Sequence, residues 1–162
     1  MILVYILSGI SIFLFFLSLI DLISNWGKKT YSVNCDYNQL CTNIVDWSVA
    51  NIPPIKTNHR LNVNVSSYEH KKTMAMYYPH KKEIKIYIKN HESVIEIVDS
   101  LLHEVTHYKQ YLRNTRGHSK NYQKLLGLYG YQNHPMEIEA VDTAKKYTKD
   151  CIKYLVRNGY IV

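Results

Sequence analysis

His103, Glu104 and His107 stand at positions i, i+1 and i+4 of the stretch "DSLLHEVTHYKQYL", residues 99–112. On a helix, side chains four apart project from one face a turn apart, so the two imidazoles can share a single ion. Glu104 sits about 100° around the helix from His103, off the metal axis, where its carboxylate reaches a water beside the ion rather than the ion itself. Zn2+ suits such a pair because it binds imidazole well and lowers the pKa of a water to about 7, and a neighbouring carboxylate can take the proton as the water attacks a carbonyl. The spacing points to metal-assisted hydrolysis with Glu104 as general base.

Three protein ligands and one open position are expected at such a centre. A metzincin-type extension is absent, since Gln110 stands where its Gly belongs and Arg113 where its third His belongs. Two candidates remain. Glu137, in "HPMEIEAVDTA", lies 30 residues beyond His107, far enough for the chain to turn back, and His118, in "GHSKNY", follows the His-Glu-His helix directly. Each also has an ordinary role available: Glu137 as a first-turn carboxylate on a helix dipole, His118 as a helix N-cap. A hydrogen-bond donor to a developing oxyanion is expected from the loop before the last helix, from Tyr131 or His134.

The elements that must position these residues follow from periodicity. Val94, Val98, Leu101, Val105, Tyr108 and Leu112 recur at helical intervals, so residues 92–113 read as one amphipathic helix. "NTRG" ends it, with Gly117 as a left-handed cap. An earlier helix, "YNQLCTNIVDWSVANI", is stopped by Pro53 and Pro54. Between the two, "RLNVNVSSY", "TMAMYYP" and "KEIKIYIK" alternate or are short, and three strands with turns at "EHKK" and "PHKK" suggest a small antiparallel meander. A helix over about 119–129 follows, and Pro135 suits the first turn of a last helix running to about Tyr154.

Length allows one domain, and 46% hydrophobic residues is ordinary for a globular core. Net charge is +7, yet the lysines never run longer than two, which reads as a solvated basic surface rather than a nucleic-acid stripe. Residues 1–20, "MILVYILSGISIFLFFLSLI", carry no charge and as a helix would reach about 30 Å, the thickness of a bilayer core. No n-region or A-x-A-like site marks a cleavable signal. A transmembrane anchor over 1–23 and a linker over 24–36 are therefore expected before a domain at 37–162. Lys28 and Lys29 behind the anchor favour a single-pass protein with the domain on the cytoplasmic side. Cys35 and Cys41 are close enough for a small disulfide loop, which would imply an oxidising compartment; with Cys151 left over, free thiols are an equal reading. Neither oligomeric state nor substrate can be read.

"HEVTH" followed by "PMEIEAVDTA" resembles the gluzincins, particularly minigluzincin-like and phage or bacterial peptidase domains, over roughly residues 37–157. The resemblance implies an α+β, zincin-like fold: a small antiparallel sheet, an active-site helix and C-terminal helices, here preceded by one transmembrane helix. It implies a membrane-anchored Zn2+ metallopeptidase acting on a protein or peptide, with His103, His107 and Glu137 as ligands and Glu104 as base. Ala140 and Ala144 would be the small residues that let the helices approach. Many gluzincins place Asp or Asn four residues after the ligand Glu to hold a zinc-bound His, but Val141 stands there and Asp142 is one position late. Asp99 is a substitute for that role, and Glu139 an alternative ligand in a shifted register. "GHSKNYQKLLG" is similar to SprT-like domains, with His118 as ligand and Tyr122 as the following aromatic, which would imply a protease for nucleic-acid-associated proteins. A zinc-binding interaction domain without activity is a third reading, against which an intact Glu104 counts. In a zincin-like fold the strand nearest the cleft pairs with the substrate peptide, and "TMAMYY" is the candidate strand.

Overall fold

A computed structural model describes residues 30–53, 60–70 and 73–162. The described chain is α+β: helix α1 (Tyr37–Asn51), strands β1 (Asn62–Ser66), β2 (Ala75–Tyr78) and β3 (Glu83–Tyr87), a short 3-10 turn, then helices α2 (Val94–Arg113), α3 (His118–Tyr129) and α4 (Pro135–Arg157).

Helix α2 is the hub. Ser93 caps its start by accepting from the Glu96 N–H (3.2 Å), and the Glu96 carboxylate reaches back to the Glu92 N–H (2.7 Å), so donors that the first turn leaves unpaired are served. Its apolar stripe, Val98, Leu101, Leu102, Val105 and Tyr108, is fully buried, each aliphatic side chain contributing about 1.5–3 kcal/mol by leaving water. This stripe packs α2 against α1, β2, β3 and α4. The opposite edge of the helix carries the half-buried His103, Glu104 and His107. Lys109, also buried, donates from Nζ to the Val49 carbonyl (3.0 Å) in the last turn of α1, satisfying an end-of-helix acceptor.

Helix α4 presents Glu137, Ala140, Ala144, Cys151 and Leu155 on one buried stripe at intervals of three, four and seven. The two alanines are essentially inaccessible, and α2 is the principal neighbour of α4. Small side chains there allow close approach, and Glu137, one turn before Ala140, is carried inward with them.

The sheet departs from the expected meander. Its order is β1-β3-β2, with β1 parallel to β3 and β2 antiparallel to it, so the sheet is mixed. Burial explains the choice. Strand β3 supplies Ile84, Ile86 and Tyr87 to the core and takes the centre, while β2 buries only Tyr77 and sits at the edge. The alternating Val63 and Val65 of β1 pack equally well beside β3, and pair in register with Ile84 and Ile86.

Two further expectations are corrected, and one left open is decided. Gly117 has φ −110 and is the N-cap of α3 rather than a left-handed end of α2; its N–H donates to Asn114 Oδ1 (3.0 Å). Of the two readings left open for the cysteines, the free-thiol one holds: Cys35, Cys41 and Cys151 are all unpaired. The transmembrane anchor expected over 1–23 lies outside the described residues, and among the described residues no helix is long and apolar enough to cross a membrane. The reading of a single-pass membrane protein with a cytoplasmic domain is accordingly not retained. At its other end the described chain is closed by an antiparallel bridge between Val33 and Ile161, flanked by Ser32 and Val162 exchanging both backbone hydrogen bonds.

Candidate metal centre

His103 and His107 turn their Nε2 atoms to within 3.0 Å of each other. The Glu137 carboxylate closes the triangle, with Oε2 at 3.3 Å from His103 Nε2 and Oε1 at 3.4 Å from His107 Nε2. This group is close enough to hold a metal ion. Atoms bound tetrahedrally at about 2.0–2.1 Å lie about 3.3 Å apart, so two imidazoles and a carboxylate at these separations fit a small divalent cation.

Electrostatics favour a charged site. Burial alone would push Glu137 up, but hydrogen bonds with the two imidazoles and from the Tyr122 hydroxyl (2.8 Å) hold its carboxyl well below the usual carboxylate range. Burial likewise pulls His107 down, and is outweighed by Glu137, by the Glu104 charge and by Gln110, which hold its pKa above the ordinary imidazole value. Glu104 is raised, chiefly because burial disfavours its charged form, although both imidazoles and the Tyr77 N–H act the other way. That N–H donates to Glu104 Oε2 (2.7 Å), so the edge strand fixes the carboxylate.

In the metal-free chain Glu137 contributes stability that is present above its unfolded carboxylate pKa, and that is lost as pH falls through the depressed folded value. His107 contributes stability that is fully present below its unfolded imidazole pKa near 6.5, and that is lost as pH rises through the raised folded value. Removing the imidazole by His107→Ala is therefore expected to cost the metal-free chain more thermal stability at pH 6 than at pH 8; His91, His118 and Lys109, which burial pulls down, act with the opposite sign but are common to both chains. A bound cation reverses the order, because it needs the imidazoles deprotonated. Thermal unfolding of parent and His107→Ala at both pH values, with chelator and with metal, tests this; a larger loss at pH 8 than at pH 6 in chelator would contradict it.

The remaining candidates separate. His118 is buried as the first residue of α3, outside the three-residue group, with the edge of its ring against Tyr111 and Nδ1 unpartnered. Glu139 points away to Arg113 and Gln110. Asp99 accepts from the Thr148 hydroxyl (3.2 Å), while Val141 and Asp142 are exposed. His134 is not placed to donate to an oxyanion. It caps α4, with Nδ1 accepting from the Met136 N–H (3.1 Å) and Nε2 donating to the Tyr122 carbonyl (3.1 Å). Tyr131 does line the cleft, and burial together with the Glu137 charge pushes its hydroxyl up to about 12. Sequence reasoning missed Gln110, whose Oε1 lies 2.9 Å from His107 Nδ1. Its signal was the i+3 spacing from His107 on the same helix face. Tyr122, read only as an aromatic beside His118, also serves Glu137, a contact that no spacing announces.

A cleft of about 630 Å³ opens over the group. Its walls are β2 on one side and Tyr122 and Tyr131 on the other, with Asp99, Ser100, His103, Glu104 and His107 along the floor. Among the described residues no Lys or Arg lines it, while Asp99, Glu104 and Glu137 do. No protein-family model, curated protein or solved structure matches this chain.

Proposed function

We propose that the chain is a zinc-dependent metallopeptidase. The observation that carries the proposal is the triangle of His103 Nε2, His107 Nε2 and the Glu137 carboxylate, at 3.0–3.4 Å, with the half-buried Glu104 beside it in an open cleft. Zinc held by these three groups supplies Lewis acidity, toward a carbonyl oxygen and toward a water.

The residues of the chain do the rest. Tyr77 gives its N–H to Glu104 Oε2, so Oε1, which that bond does not engage, is the atom assigned to take a proton. Burial raises the affinity of this carboxylate for the proton, which suits a group that must hold it and then deliver it to the leaving amine. Tyr77 N–H points away from β3, and side alternation along a strand puts the N–H and C=O of Ala75 on the same open edge. An extended peptide can pair there and lie across the cleft, and backbone pairing of this kind recognises a peptide without regard to most of its side chains. Tyr131, which also lines the cleft, has a hydroxyl that can serve a developing oxyanion. A non-catalytic zinc domain has no use for an oriented carboxylate next to its ligands.

Cleavage of an unstructured protein such as casein by the full chain is the test. Activity is expected to vanish on chelation and to return with stoichiometric zinc. Cleavage that survives complete metal removal would exclude the mechanism.

A further inference from the structure

We infer that Gln110 is a positioning residue that takes the place of the missing acidic partner of the zinc-binding imidazole: one side-chain amide fixes His107 and ties the two ligand-bearing helices together. The inference rests on the zinc reading above. Val141, at the position where a carboxylate would support a ligand histidine, faces solvent. Gln110, 3% exposed, reaches His107 from within α2.

Donor accounting fixes the arrangement. Gln110 Nε2 donates to the Met136 carbonyl (2.9 Å) and to Glu139 Oε2 (3.1 Å). A carbonyl and a carboxylate can only accept, so the amide NH2 must face them, and Oε1 is left to face His107 Nδ1 at 2.9 Å. Nδ1 must then carry the ring hydrogen. The lone pair of His107 consequently resides on Nε2, which points at His103 and Glu137. The same amide holds the carbonyl of the residue immediately before Glu137, so the imidazole ligand and the carboxylate ligand are set relative to each other through one side chain. Arg113 grips the second oxygen of Glu139, which keeps that carboxylate on the amide and off the ion. Gln110 is neutral where a carboxylate would be charged, so it orients the ring without adding negative charge to a site that already holds Glu104 and Glu137.

Outer partners of ligand histidines commonly account for about 10–100-fold in metal affinity. Gln110→Leu in the full chain is expected to weaken zinc binding by about that factor, in competition with a chromophoric chelator, with far-UV circular dichroism unchanged. Glu139→Ala, which removes only the outer end of the relay, is expected to weaken it by a smaller factor. Zinc affinity of the Gln110→Leu chain within about twofold of the parent would overturn the inference, since an oriented ligand cannot lose its partner at no cost. Nitrogen-15 NMR of the parent gives a second readout that needs no variant: the neutral His107 ring is expected as the Nδ1–H tautomer, and an Nε2–H tautomer would equally overturn the inference. A parent chain that binds no zinc at all would instead refute the metallopeptidase reading, while leaving the tautomer result to decide the role of Gln110.

Discussion

Replacing Glu104 by Gln is expected to leave zinc binding intact and to lower the rate of peptide hydrolysis by about 10²–10⁴-fold, the usual contribution of a positioned general base. The substitution is close to isosteric. Its amide oxygen can still accept the Tyr77 N–H that now bonds Oε2, so β2 and the cleft floor keep their relation. What is lost is the ability to take up a proton. Removing a carboxylate whose burial disfavours charge also makes destabilisation an unexpected outcome. Paired measurement of zinc content and of initial rates on a quenched peptide separates the two effects. Equal rates in variant and parent would end the enzymatic reading, and loss of the metal would move Glu104 into the ligand set.

Glu137→Ala and His118→Ala form the second test, and they are expected to diverge widely. Removing Glu137 deletes one of three ligands and leaves the Tyr122 hydroxyl without its acceptor, so zinc affinity should fall by more than about 100-fold, beyond what the loss of an outer partner costs. His118 lies outside the group, and its Nδ1 has no partner. Its replacement by Ala should change zinc affinity by no more than a few-fold, at some cost in packing against Tyr111. The opposite pattern would transfer the third ligand to the start of α3, and with it the likeness to SprT-like domains. Competition titrations of both variants against one chelator give the comparison directly.

The helices were legible because a 3.6-residue period is a local signal. The stripe from Val94 to Leu112 places α2 within two residues of where it folds, and Pro135 marks the start of α4, whose end at Arg157 lies three residues past the expected one. Strand pairing was not legible. Val63 and Val65 alternate correctly for either neighbour, and only the greater burial of Ile84 and Ile86 decides that β3 lies between β1 and β2. The same divide runs through the site. His103, Glu104 and His107 share one helix, so their spacing alone sets their faces, whereas the arrival of Glu137 depends on Ala140 and Ala144 packing α4 on α2. Gln110 was visible only as a residue that broke a different pattern. Its partners, Met136 and Glu139, come from a helix 26 and 29 residues away. His134 misled because a histidine before a proline serves as a cap as readily as a donor.

Anomalous diffraction at the zinc edge, from crystals of the zinc-loaded protein, addresses the centre most directly. The expected result is a single strong peak about 2.0–2.2 Å from His103 Nε2, His107 Nε2 and a Glu137 carboxylate oxygen. A difference map with no peak between those three residues, or with its peak on His118, would contradict the assignment of this site and the hydrolytic function built on it.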